Sequence, residues 1–299
     1  MKVIVLGATG VIGLPVSQAL SRAGHIVYGV TRSDSNARKL ATEEIIPIIA
    51  EPTSDSWHYL IAQADVVVES VGGYSDLAQT APAILRGVSE SARKLRPPGS
   101  PKLTYVYTSG IWIHGDSRKD VVSDTAPLTQ PIDLVTWRIP FEQAVTGDPN
   151  LNGIVIRPAL VYGRTASILA GLFKSASEGK VAWYGSPGGR YCLVHADDLA
   201  DLYVRAVEKA QILGGQIFDA ANDFTESVDD LMQRLTEVSG ARCPYEYVQP
   251  SNLFEAAIGT TVLCRPSLAR ALLGWVPRKA GLVDGLGIYY AAWSASRQA

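Results

Sequence analysis

The chain has 299 residues, of which 47% are hydrophobic and 19% charged, a balance that excludes a disordered or fibrous protein and supplies a sizeable core. Lys and Arg number 27 against 29 Asp and Glu, a formal net charge of -2 at pH 7, so no basic excess points to nucleic acid or an anionic membrane. A small molecule is the default partner.

At the amino terminus the apolar run Val3-Ile4-Val5-Leu6 feeds into Gly7-Ala8-Thr9-Gly10-Val11-Ile12-Gly13. This order predicts a strand, a tight glycine turn and a helix with an apolar stripe at Ile12, Val16 and Leu20, stopped by Gly24. Gly7 permits the turn, Gly10 lets backbone approach a pyrophosphate, and Gly13 lets the helix pack closely on its strand. Gly7, Thr9, Gly10, Val11, Ile12 and Gly13 are therefore the candidate cofactor loop of a dinucleotide-binding fold. The alternative is a glycine turn without a ligand.

A second strand follows at His25 to Arg32. Its end faces the position where NAD binders carry a carboxylate on the ribose, yet the chain offers Arg32 and Ser33 there, with Arg38 and Lys39 close behind. A guanidinium suits a 2′-phosphate, so NADP(H) is favoured over NAD; Arg32 as a solvated strand-end residue is the plainer reading.

Ala64 to Ser70 reads as a buried strand, followed by Val71 and Gly72-Gly73, where a cofactor meets the sheet edge. Pro82 to Leu95 reads as a helix ended by Arg96-Pro97-Pro98-Gly99, Leu103 to Thr108 as a strand, Ile154 to Ile156 and Ile217 to Asp219 as later strands, and Ala196 to Ala210 as a connecting helix. The expected fold is α/β, a Rossmann-type doubly wound parallel sheet with a smaller C-terminal substrate lobe. Residues 1–164 and about 196–222 form the NADP-binding part, about 165–195 and 223–299 the lobe, with the ligand cleft between them.

Cys192, Cys243 and Cys264 are odd in number and widely spaced, which suits reduced, buried thiols rather than a disulfide framework or zinc site. The first apolar run breaks at Gly7, too short for a signal-peptide core, and no stretch has the length of a bilayer span. The expectation is a cytoplasmic protein with no metal, no membrane and no nucleic-acid partner, and with homodimerisation left open.

Several segments, in order, resemble the extended or atypical short-chain dehydrogenase/reductase superfamily, which includes NAD-dependent epimerase/dehydratase-like and NmrA-like proteins. Beside the glycine loop, Tyr107-Thr108-Ser109-Gly110-Ile111-Trp112-Ile113-His114-Gly115 looks like the active-site strand. Arg157-Pro158-Ala159-Leu160-Val161-Tyr162-Gly163 looks like the Arg-Pro-x-x-x-Tyr-Gly segment, His195-Ala196-Asp197-Asp198 like His-Val-Asp-Asp, and Leu273-Gly274-Trp275-Val276-Pro277 like Leu-Gly-Trp-x-Pro. The resemblance adds Thr108 and Pro158 to the cofactor set and implies that His195 and Asp197 are a structural connection. It also exposes a departure. The family's Tyr-x-x-x-Lys pair is missing: Leu134 and Arg138 stand at its positions, and no tyrosine or lysine occurs from Asp120 to Leu160. The usual active-site serine or threonine falls on Gly110, beside Ser109.

Three readings remain. The first is an NADPH-dependent reductase of a small apolar or aromatic carbonyl-type metabolite, of the kind met in secondary metabolism. The second is a non-redox isomerase, cyclase or lyase with NADP structural or transiently used, and the third an NADP(H)-sensing regulatory protein. Candidate catalytic residues are His114, Ser109, Tyr162 and Arg138. Histidine titrates nearest neutrality, whereas Arg138 is a permanent cation suited to stabilising charge, unless Glu142 one helical turn on takes it as a salt-bridge partner. Tyr74, Trp112, Trp183 and Tyr191 are the candidate substrate contacts, within an aromatic set that includes Trp137, Phe173 and Tyr184.

Overall fold

The computed structural model describes residues 1–73, 76–165, 168–242 and 244–297. Two compact units emerge: one of Met1–Ser109, Trp137–Arg157 and Leu199–Phe218, the other of Gly110–Thr136, Pro158–Asp198 and Asp219–Ala299.

The first unit is built on strands β1 (Lys2–Leu6), β2 (Ile26–Thr31), β3 (Ile46–Ile49), β4 (Val66–Glu69) and β5 (Leu103–Thr108). With Leu151–Pro158 and Ile217–Ala220 they form a seven-stranded sheet in the order Ile217–Ala220, Leu151–Pro158, β5, β4, β1, β2, β3. The reversal of direction at β1 is that of a doubly wound nucleotide fold. Val3, Ile4, Val5 and Leu6 are all 0% exposed, as a strand covered on both faces requires, and this makes its sequence a continuous apolar run rather than an alternating one.

Register lines up the carboxyl ends. Leu6 pairs with Val30 on one side and Glu69 on the other, Glu69 with Tyr107, and Tyr107 with Val155. The residues that follow, Gly7, Ser70-Val71 and Thr108-Ser109, thus share one edge of one sheet.

Helices α1 (Gly13–Arg22), α2 (Asp34–Thr42), α3 (Leu77–Leu95) and α4 (Arg138–Thr146) flank these strands in the chain. Helix α3 begins five residues before the expected Pro82. The Asp76 side chain caps it by accepting from the Gln79 amide at 3.1 Å, and the helix tolerates Pro82 with the loss of one backbone bond. Edge strand β3, with α2 before it, lies in a stretch without a clear period in the sequence. There Ala50 donates to the Thr31 carbonyl at 2.9 Å just past the strand end, and Pro47 pairs with Gly29.

The second unit contains a three-stranded sheet, Thr225–Ser227, Arg190–His195 and Leu160–Tyr162, and two strand pairs, Glu246–Val248 with Ala182–Tyr184 and Val262–Cys264 with Ser117–Val122. Leu172, Phe173, Trp183, Leu231 and Trp293 belong to its buried core. Among the described residues no helix is long and apolar enough to cross a membrane.

Candidate active site

The turn after β1 has the geometry a pyrophosphate needs. Gly7 adopts φ +76°, and a Cβ there would lie 2.6 Å from the Ser70 carbonyl oxygen. A Cβ on Gly13 would lie 2.1 Å from the Gly7 carbonyl oxygen, whereas one on Gly10 meets nothing nearer than that same oxygen at 3.2 Å. Gly7 and Gly13 are therefore fixed by packing, and Gly10 stands exposed and open, the arrangement that admits phosphate. Thr9 and Ile12 are half-buried and Val11 is exposed. Helix α1 has Ile12 at its N-cap and no side-chain cap, while Ser33, Asp76, Ser227 and Asn252 each cap a helix. Helix α4 also lacks a side-chain cap; what fits α1 to an anion is the open Gly10 turn beside its uncapped end.

Arg32 is exposed at the end of β2. Ser33 caps α2 by accepting from the Asn36 amide at 3.4 Å. Val71 and Gly72 follow β4 on the same sheet edge, half-buried and exposed. Tyr74 and Cys243 lie outside the described residues.

At the end of β5 the first unit assembles a polar cluster. Thr108 shares a 2.6 Å hydroxyl hydrogen bond with Tyr203, and the buried Ser109 hydroxyl has no partner among the described residues. A buried hydroxyl is costly unless something bonds it, so Ser109 is chemically fitted to a ligand group. Arg138 donates to the Tyr107 hydroxyl at 2.5 Å and the Thr108 carbonyl at 3.2 Å, and its guanidinium lies 4.7 Å from the Trp137 ring centroid. Glu142 does not pair with it. Instead Arg157 reaches Glu142 with Nε at 3.1 Å from both oxygens and Nη2 at 2.7 Å from one, both side chains being at most 4% exposed. Two buried opposite charges neutralise one another, and this preference overrides the i,i+4 spacing.

Beneath this cluster lies a group the sequence reading missed. Glu69, ending β4, is 3% exposed and accepts a short hydrogen bond from Tyr105. Burial pushes its carboxyl up to about 7, against the lowering effects of the Tyr105 hydroxyl and the Arg138 charge. The one available signal was a carboxylate closing an otherwise all-apolar strand.

The second unit holds Trp112, His114, Pro158, Tyr162, Trp183 and Tyr191. His114 Nε2 donates to Asp219 Oδ2 at 2.8 Å, with side-chain exposures of 1% and 0%, and His114 Nδ1 has no partner among the described residues. Asp219 is in turn held through its amide by Asp124 at 2.8 Å, an arrangement that fixes the ring in the unit's interior. The Tyr162 hydroxyl donates to the Ala280 carbonyl at 2.8 Å and accepts from Asn222 at 3.3 Å, and burial pushes it up from its ordinary titration range. Tyr191 accepts from the Trp183 indole at 2.7 Å and is pushed up likewise by burial. Pro158 is buried, and the half-buried Trp112 meets Phe254 edge-on at 6.2 Å. His195 accepts the Asp197 amide at 3.0 Å and packs on Tyr162 and Tyr289. Its imidazole is pushed down by burial.

No protein-family model matches the chain. A 3-diazoavenalumate denitrifying reductase from a Streptomyces species is 26% identical over 310 positions, covering 96% of this chain and 99% of that protein. An epimerase family protein, the chloroplastic SDR39U1 homolog of Arabidopsis thaliana, is 22% identical, covering 72% of this chain and 64% of that one. Among solved structures, a dTDP-glucose 4,6-dehydratase from Bacillus anthracis in complex with NAD superposes with TM-score 0.82 at 14% identity, covering 100% of this chain and 98% of that one. A UDP-glucuronic acid 4-epimerase from Bacillus cereus with NAD gives 0.78 at 18%, with 99% of both chains covered. These likenesses show the fold.

Proposed function

We propose that this chain, in fold an extended short-chain dehydrogenase/reductase, is an NADPH-dependent reductase of a small aromatic or apolar carbonyl-type acceptor. The observation that carries the proposal is the shared carboxyl edge of β1, β4 and β5, where the open Gly10 turn, Val71-Gly72 and the unpartnered Ser109 hydroxyl sit in one unit. The reductase relative, aligned over nearly the whole of both chains, supports the reaction class. When bound, the dinucleotide supplies hydride.

In this reading Gly7, Gly10, Gly13 and the uncapped end of α1 hold the pyrophosphate, and Arg32 with Ser33 receives the 2′-phosphate. Thr108 borders the nicotinamide. Ser109 donates a hydrogen bond to the acceptor oxygen, water supplies the proton that the oxygen takes up after hydride transfer, and Arg138 stabilises negative charge on the substrate. The hydrogen bonds that hold His114 to Asp219 and Tyr162 to the Ala280 carbonyl and Asn222 within the second unit favour positioning over proton transfer.

The test is isothermal titration with NADPH, NADP⁺ and NADH, followed by incubation of the NADPH complex with aromatic carbonyls while cofactor absorbance is followed. Consumption of NADPH with a defined product supports the reductase. Product without consumption assigns the non-redox enzyme in its place.

The cofactor choice has its own test. Arg32→Asp removes a phosphate-binding cation and adds a repulsive carboxylate, so NADPH affinity is expected to fall about tenfold or more, roughly 1.4 kcal/mol, with NADH affinity spared. An unchanged NADPH to NADH ratio in the titration refutes the assignment.

A further inference from the structure

We infer that Arg138 anchors the carboxylate of an aromatic acid, so that the substrate is an aryl carboxylate; this rests on the reductase reading above.

Arg138 is half-buried, where a cation without a directly paired carboxylate loses hydration and gains little in return; its charge is felt by Glu69, but among the described residues no ion pair joins the two. The carboxylate nearest in sequence, Glu142, is committed to Arg157. Arg138 uses only Nη1 within the unit, for the Tyr107 hydroxyl and Thr108 carbonyl; among the described residues Nε and Nη2 have no hydrogen-bond partner and no carboxylate pairs with the side chain. These two nitrogens form the fork edge that matches a carboxylate in bidentate fashion.

Orientation is fixed as well. The guanidinium lies against two rings, 4.7 Å from the Trp137 centroid and 5.7 Å from that of Tyr107. A side chain restrained by two hydrogen bonds and two ring faces gives up little freedom when it binds. Trp137 is itself half-buried, and its indole supplies an aromatic surface next to the anion seat. A neutral ketone can accept from one guanidinium donor but leaves the charge uncompensated and the fork half filled, whereas an aryl carboxylate satisfies the charge, the fork and the ring together. Ser109, on the same strand end, then faces a reacting group distinct from the anchor.

The experiment compares trans-cinnamate with trans-cinnamamide, which differ in charge and little in shape, by titration calorimetry on the free protein and on the NADPH-loaded protein. Wild type is expected to bind cinnamate at least tenfold more tightly than the amide. Arg138→Gln is expected to abolish that preference and to leave NADPH affinity within about threefold, while Arg138→Lys retains part of it. Equal affinities for acid and amide in wild type overturn the inference without any variant being needed, as does absence of saturable cinnamate binding. A loss of NADPH affinity in Arg138→Gln with the acid preference intact assigns Arg138 to the cofactor and also overturns it. Failure of the reductase reading is seen separately, as NADPH that is bound but not consumed.

Discussion

Glu142→Ala is expected to destabilise the protein by about 3 to 5 kcal/mol in urea unfolding, the loss typical of breaking a buried ion pair. The alanine leaves the Arg157 guanidinium in an interior where it is 3% exposed, removing the carboxylate that receives Nε and Nη2 at once. The cost lies in a buried positive charge deprived of its Glu142 counter-charge more than in the lost attraction. Removing both charges in Glu142→Leu with Arg157→Met is therefore expected to recover most of the loss. A single variant that loses less than about 1 kcal/mol contradicts the account.

Glu69→Gln has a pH signature. Because burial raises the folded carboxyl from 4.5 to about 7, the folded state binds more protons than the unfolded state between those values. Stability then falls as pH rises, since the unfolded chain gains by ionising first. Below about 4.5 both states are protonated and the penalty is absent; above about 7 it is complete, on the order of 3 kcal/mol. Glutamine keeps an acceptor for Tyr105 and cannot ionise, so the variant is expected to gain on wild type steadily from pH 4.5 to 7 and then hold its advantage. Thermal or urea unfolding across that range reads it out, and parallel curves for the two proteins would mean that Glu69 does not titrate there.

The fold was legible wherever one chemical demand acts locally. The run Val3 to Leu6 and the glycines at 7, 10 and 13 state strand, turn and helix in thirteen residues, and Leu103–Thr108 was read to the residue. Edge strand β3 left little trace, because four residues broken by a proline have no period. The site divides on the same line. Gly10 and Ser109 stand out as candidates by position, but the competition for Glu142 is decided by Arg157, fifteen residues on in the adjoining strand. Spacing along a helix favours Arg138, and only folding reveals that the other arginine is interior. Glu69 was hidden for a related reason. Its raised carboxyl comes from burial, which only the folded chain supplies.

Strand β3 ends the sheet and therefore turns one rim of backbone to water. Ala50 points its amide inward to Thr31, and the two-residue alternation of a strand then sends the Ile48 and Ile46 amides inward and the backbone nitrogen of residue 47 outward. That residue is proline, with no hydrogen to give. Ile46 and Ile49 are 44% and 56% exposed, an apolar border that would otherwise invite another chain to add a strand. With a rung missing from the outer ladder, such strand addition is disfavoured, and this edge is guarded against aggregation.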